Sequence, residues 1–349
     1  MATPCYILLF GDQTETKFSV KELFEYSERS ERVRLFIERA QNAARHAFDT
    51  ASTPDRGKYG FHSYLELEER ILAETVPDVV VRTLLLCFAQ VGHLIMRLER
   101  DDQVRDLWSK QRLVIVASCA GQIPAALAAT TNSLDELADA APEVVATSIR
   151  AGIDVDRRTN EYADDRSKSW ATAVGVPLEH ARQVVAGFND SKDLTHAKGL
   201  YCGVTSAWAT TIIGPPRQLE EFFGSKPFGE ARVTALPINA TFHALHAEKP
   251  DIEWIIGDTP KLNSLHLTDA CFLSSESGAV FPPQTARDLL GEALLNILNR
   301  MTDNEKVFGE VRGISGDREV CIFSVVAEKV AARMIKVLGE HKAHVRSNI

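Results

Sequence analysis

Five consecutive apolar residues, Tyr6 to Phe10, stop abruptly at the polar turn GDQT. A short apolar run bounded by turn residues predicts a buried strand. From Val20 to about Thr50 the chain is strongly charged and helical in pattern; TPDRGKYG breaks it, and a further helix is predicted near 65–73. Residues 79–100 read as a mostly apolar helix and 113–117 as a second strand, running into a small-residue turn and an Ala-rich helix start. Strand, helices, strand, turn and helix predict an α/β unit with parallel strands and ligands at their carboxyl ends.

From about Lys168 the texture changes. SWATAVGV predicts a strand, PLEHARQVVAGF a helix, GLYCGVTS and WATTIIG two strands, PPRQLEEFFG a helix opened by proline, and ARVTALPI a strand. The order βαββαβ is the ferredoxin-like pattern. The expected organisation is an α/β-hydrolase-like large subdomain from 1–167 and 239–349, with a ferredoxin-like small subdomain inserted at 168–238. Helical pattern resumes at 286–300, and EVCIFSVV predicts the last core strand.

Composition changes this picture little. At 349 residues, 45% hydrophobic and 25% charged, the chain has material for one large domain or two modest ones. A net charge of −9 argues against nucleic-acid binding. Cys5, Cys87, Cys119, Cys202, Cys271 and Cys321 include no CxxC pair, so neither a zinc site nor a small disulfide scaffold is expected. The start MATPCYILLFGD lacks a basic, apolar leader pattern, and the apolar run 84–96 is interrupted by Gln90 and His93, short of a membrane span. A cytoplasmic, reduced protein without membrane contact is therefore expected, and the sequons at Asn189 and Asn239 read as chance.

The candidate chemistry sits in LVIVASCAGQIPAALAA, residues 113–129. A side chain on a sharp strand-to-helix turn stands clear of the sheet, and the following N–H groups point at the same spot. A helix N-terminus would also lower a thiol's pKa. Against the pattern GxSxG this chain reads Ala117-Ser118-Cys119-Ala120-Gly121, with cysteine for serine and alanine for the first glycine. Ser118 lies one residue off the apex. A buried, inert cysteine is the competing reading. Among ten histidines, His93 reads as a core residue and His341 and His344 as parts of a charged tail. His243, in LPINATFHALH, follows the last strand of the small subdomain, where the chain re-enters the large one; His246 is its nearest competitor. Phe10-Gly11-Asp12-Gln13 closes the first strand, where a backbone N–H would complete an oxyanion hole unless the segment is a plain polar turn.

Together these elements resemble the acyl-CoA:acyl carrier protein transacylases of the bacterial malonyl transacylase kind. The cysteine elbow, ILLFGDQT, IGPPRQLEEF and PINATFHALH resemble, more narrowly, the starter-unit acyl carrier protein transacylase domain of fungal non-reducing polyketide synthases. The resemblance spans essentially the whole chain. It implies Cys119 as nucleophile, His243 as its base, and the backbone N–H groups of Gln13 and Ala120 as oxyanion donors. It further implies a backbone carbonyl that orients the histidine, expected near Ser324.

Malonyl-specific members carry an arginine before a glycine past the elbow. Here SIRAGIDV puts Ala151 in its place, or Arg150 after a slip of one, so an uncharged acyl substrate is expected. The resemblance implies acyl-CoA and phosphopantetheine-bearing acyl carrier protein as substrates, with no bound cofactor and no metal. The resemblance implies as partners an acyl carrier protein, acyl-CoA or a partner synthase as donor, and a neighbouring ketosynthase; HKAHVRSNI stops without a ketosynthase motif, so the chain is expected to be one domain cut from a multidomain synthase. Arg217, Lys226 and Arg232 are candidates for a basic rim facing acidic carriers. An extender-unit acyltransferase, a cysteine hydrolase of the α/β-hydrolase type and a non-catalytic interaction domain that keeps the fold are the alternatives.

Overall fold

The computed structural model describes residues 3–51, 62–162, 165–195, 198–340 and 342–346. The TPDRGKYG break and His341 lie outside these. Strand β1 (Cys5–Phe10) leads to helices α1 (Val20–Ser27), α2 (Glu31–Thr50), α3 (Tyr64–Ala73), α4 (Val79–Arg100) and α5 (Asp102–Ser109). Strand β2 (Val114–Ala117) passes through a 3-10 turn, Cys119–Gly121, into α6 (Gln122–Thr130), and α7 (Leu134–Asn160) follows. The insert comprises β3 (Ala171–Val174), α8 (Leu178–Ser191), β4 (Tyr201–Ser206), β5 (Ala209–Ile213), α9 (Pro216–Gly224) and β6 (Val233–Ala235). The return path holds α10 (Ile252–Ile256), β7 (His266–Leu267), β8 (Cys271–Phe272), β9 (Gln284–Thr285) and α11 (Ala286–Leu298). It ends with β10 (Thr302–Asp303), α12 (Asn304–Ser315), β11 (Val320–Val325), α13 (Glu328–Leu338) and β12 (Ala343–Val345).

The large subdomain is built on an all-parallel sheet, β12-β11-β1-β2-β8. Alternation along β1 divides its side chains between two cores. Leu8 and Phe10 join the cluster that holds α2, α4 and α7, whereas Ile7 and Leu9 join the one under α12 and α13. Helix α4 is long and apolar enough to cross a membrane, yet every residue from Val79 to Leu98 is buried inside the protein.

The predicted helical stretch 20–50 divides because Ser30 caps α2, its hydroxyl accepting from the Val33 N–H at 3.2 Å. The strand within 319–326 is not the last: β12 pairs parallel with it, Val320 opposite Ala343. His344, expected in a charged tail, stands on that strand 3.3 Å from Glu319. In the small subdomain β6-β3-β5-β4 run antiparallel, as the ferredoxin-like pattern requires. A fifth strand, β10, comes from beyond residue 239 and adds parallel to β4, so the two subdomains share a sheet.

Candidate active site

Cys119 sits where β2 meets its 3-10 turn, with φ at 46°. A non-glycine residue held in the left-handed region is strained, and such strain persists only where the surroundings enforce it. Here the enforcement is steric. A Cβ at Gly121 would lie 2.2 Å from the Gly11 carbonyl oxygen, and one at Gly11 would lie 2.1 Å from the Val326 oxygen. Two glycines thus let the elbow, the GDQT turn and the end of β11 touch through bare backbone. The Ser118 N–H donates to the Phe10 carbonyl at 3.2 Å across the same junction.

His243 is 2% exposed and also adopts a positive φ, 56°. Its Nδ1 lies 3.0 Å from the Asn296 carbonyl oxygen and 2.9 Å from that of Arg300, and its Nε2 lies 3.2 Å from Cys119 Sγ. Carbonyls only accept, so Nδ1 carries the proton and Nε2 turns its lone pair to the thiol. The Asn296 carbonyl belongs to the last turn of α11, where a helix leaves its C=O groups unpaired, and Arg300 lies two residues past the helix. The expectation of an orienting carbonyl near Ser324 is corrected: that carbonyl accepts from Arg97 Nη1 at 3.4 Å.

Electrostatics set the resting state. Burial pushes the Cys119 thiol well up and the nearby Asp12 charge adds to this, while the Ala120 N–H at the sulfur opposes both. Burial lowers His243, outweighing the Arg300 and Asn296 carbonyls and Asp12. Both groups are therefore neutral near pH 7, a hydrogen-bonded pair and not a thiolate–imidazolium pair. The helix N-terminus does not win the contest for the thiol that the sequence suggested.

Asp12 is the anion of the site. It is 6% exposed, and its Oδ2 accepts from Arg333 Nη2 at 2.6 Å and from Ser118 Oγ at 3.1 Å, while Oδ1 accepts from Thr14 N–H at 2.9 Å. Burial alone would raise its pKa; the Arg333 guanidinium and the Thr14 bonds outweigh that and hold it at about 2. The next residue, Gln13, donates Nε2 to Thr83 Oγ1 at 2.8 Å, and Gln90 Nε2 donates to the Gly11 carbonyl at 3.0 Å. Thr83 and Gln90 are seven apart on α4 and so share a face. That spacing of polar residues inside an apolar helix was a usable signal of what α4 supports. Arg333, Asn296 and Gln122 gave no such signal. Asn296 Nδ2 donates to Gln122 Oε1 and Ser274 Oγ, both at 3.2 Å, tying the end of α11 to the helix behind the elbow.

The Cys119–His243 pair opens on a cavity of about 50 Å³ between the subdomains, bordered by Asp12, Gln13 and Arg333 and by the apolar Ile213, Leu236 and Phe242. That is the room of one to two waters. A larger cleft, about 940 Å³, opens elsewhere beside α4 and α13; it holds neither Cys119 nor His243.

Arg150 and Ala151, the substrate-binding candidates, do not border the cavity. Arg150 donates Nε to the Ile255 carbonyl at 2.7 Å and Nη2 to that of Ile256, clamping the end of α10, and Ala151 is packed in the core at 2% exposure. Their side chains are used in folding, which is a correction. His246 stacks edge-on against Tyr201, and His93 lies 2.9 Å from the Phe18 carbonyl within the core. The amides of Asn189 and Asn239 bond to backbone of the same chain. Among the described residues no group of three His, Cys, Asp or Glu side chains could hold a metal ion.

Three comparisons bear on this geometry. The family model described as "Starter unit:ACP transacylase in aflatoxin biosynthesis" matches residues 8–243. A non-reducing polyketide synthase of Pseudevernia furfuracea is 34% identical over 85% of this chain, which spans 14% of that protein. The Ascochitine biosynthesis cluster protein 8 of Didymella fabae is 27% identical over 88% of this chain and 81% of its own length. The chain thus spans roughly one-seventh of the polyketide synthases it matches. Among solved structures, the MCAT from Mycobacterium tuberculosis superposes with a TM-score of 0.63 at 16% identity, covering 98% of this chain and 96% of its own. At that identity the likeness speaks for the fold alone.

Proposed function

The chain belongs to the starter unit:ACP transacylase family, and from that premise we propose that Cys119 and His243 carry an acyl group from a thioester donor to the phosphopantetheine thiol of an acyl carrier protein. The observation that carries this reading is the 3.2 Å approach of His243 Nε2 to Cys119 Sγ, with Nδ1 held by two carbonyls.

In the first half-reaction Nε2 accepts the thiol proton as Sγ attacks the thioester carbonyl. The new S–C bond leaves a tetrahedral oxyanion, for which the N–H groups of Gln13 and Ala120 are the assigned donors. The tetrahedral centre collapses, the donor's C–S bond breaks, and the leaving thiol takes the proton back from His243. In the second half His243 takes the proton of the incoming pantetheine thiol, which attacks the acyl-cysteine in turn. Both bonds exchanged are thioesters, so a thiol nucleophile gives up little driving force. Ile213, Leu236 and Phe242 give the cavity an apolar border, so an acyl group seated there would displace the water that would hydrolyse the intermediate.

The donor is acyl-CoA or an acylated carrier protein, and no bound cofactor takes part. Arg217, Lys226 and Arg232 are all exposed on the small subdomain, where an acidic carrier would meet them. For the extender-unit alternative a free cation should await a substrate carboxylate. Arg158, the most deeply buried arginine of α7, is paired with Asp154 at 2.8 Å and does not border the cavity, which favours an uncharged acyl group.

Intact-mass analysis with acetyl-, butyryl-, hexanoyl-, octanoyl- and malonyl-CoA, on wild type and Cys119→Ala, tests the proposal. One acyl adduct on wild type, absent in the variant, is expected. Preferential malonyl loading would overturn the starter-unit assignment, and adducts that persist in Cys119→Ala would overturn the nucleophile.

A further inference from the structure

The cavity beside the dyad contains one cation and one anion among its bordering residues, Arg333 and Asp12, apart from the neutral His243. They face each other at 2.6 Å. We propose that this ion pair is the acyl-selectivity element of the cleft: Asp12 occupies Arg333 and lends its own negative charge, so acyl groups ending in a carboxylate are turned away. The proposal deepens the reading above, since it takes the cleft to be where an acyl group sits.

Two features make the pair a built device and not an incidental contact. Its geometry is held from both ends. Asp12 is pinned by Ser118 Oγ and Thr14 N–H. Helix α13, which carries Arg333, is pinned at its start by the Glu15 carboxylate, which accepts from the Lys329 and Val330 N–H groups at 2.9 and 3.3 Å. The pair also leaves donor capacity unused. Asp12 engages Nη2 alone, and Arg333 Nε is buried without a hydrogen-bond partner. A guanidinium can hold a carboxylate through two parallel bonds. Released from Asp12, Arg333 could grip a carboxylate-bearing acyl group within reach of Cys119.

Two alkylating reagents test this without calling on acyl transfer. Iodoacetamide and iodoacetate both form a thioether at Sγ, expel iodide and lose the thiol proton through His243. They differ only in an amide against a carboxylate, so the ratio of their rate constants at one pH cancels thiol acidity. That ratio is measured by intact mass on wild type, Asp12→Asn and Arg333→Gln, with the Cys119→Ala background subtracted.

Asp12→Asn should raise the iodoacetate-to-iodoacetamide ratio ~10-fold, the effect of exchanging one nearby unit charge in a partly screened cleft. Arg333→Gln should lower it. A purely structural role would move both ratios the same way or neither, and either result overturns the proposal. Should Asp12→Asn fail to fold, the direction in Arg333→Gln decides. Malonyl- and acetyl-CoA loading on the same proteins separates the two readings. If the alkylation ratios move as stated but no acyl-CoA loads, it is the transacylase reading that fails. If acyl groups load and the ratios stand still, it is this one.

Discussion

Gly121→Ala is the most direct probe of how the site is assembled. The new methyl carbon would be placed 2.2 Å from the Gly11 carbonyl oxygen and 3.1 Å from Phe10 Cβ. An ordinary carbon–oxygen contact needs about 1 Å more than the first of these. The GDQT turn cannot retreat by that amount. It is backed by the Val326 carbonyl on its far side and held by Gln90, whose amide donates to Gly11 at 3.0 Å. The elbow must shift instead and carry Cys119 with it, away from the GDQT turn.

Overpacking of this kind costs about 1–3 kcal/mol of stability. A misplacement of ~1 Å at the reacting centre costs ~100-fold in rate. The assay is the rate of acyl loading on Cys119 by intact mass, paired with iodoacetamide alkylation of the same thiol. Loading should fall ~100-fold while alkylation changes much less, because alkylation at Sγ develops no oxyanion that must be placed against backbone donors. A folded variant that loads within ~3-fold of wild type would refute the idea that backbone contact between elbow and turn sets the geometry.

His243→Ala should slow loading ~100- to 10,000-fold, the usual worth of a positioned base, measured in the same assay. Because burial lowers His243 below its ordinary 6.5, the acid limb of wild-type loading should have its midpoint below 6.5, as the imidazolium forms and can no longer accept the thiol proton. A midpoint above 6.5 would contradict the burial argument. Glu15 gives a stability counterpart. It is 3% exposed, and burial followed by the Asp12 charge raises it from 4.5 to about 7, against the Lys329 and Val330 N–H bonds. A raised carboxyl favours the native state at low pH, so this contribution is complete below 4.5 and lost as pH rises through 7. The loss is about 3 kcal/mol. Denaturant unfolding across that window should therefore show a smaller decline in Glu15→Gln than in wild type, and an equal decline would sink the assignment.

Much of the molecule was determined by its sequence. The buried runs at 6–10 and 113–117, the small-residue turn at Cys119 and the βαββαβ order of the insert are properties of neighbouring residues. Burial period, turn chemistry and chain order express them locally, so they can be read before any fold is known. Cys119 and His243 belong here too, each marked by its own segment. What only the tertiary structure decided are pairings between segments far apart in the chain. The carbonyls of Asn296 in α11 and of Arg300 just beyond it, not the segment at Ser324, hold His243. Arg150 is spent on the Ile255 carbonyl and never reaches the cavity. Strands β10 and β12 exist because a sheet edge was there to pair with, their own residues being too few to show a period. Asp12 meets Arg333 across 321 positions. Which cation meets which anion, and whether burial or a helix terminus governs a thiol, depends on distances that arise only when the chain has closed on itself.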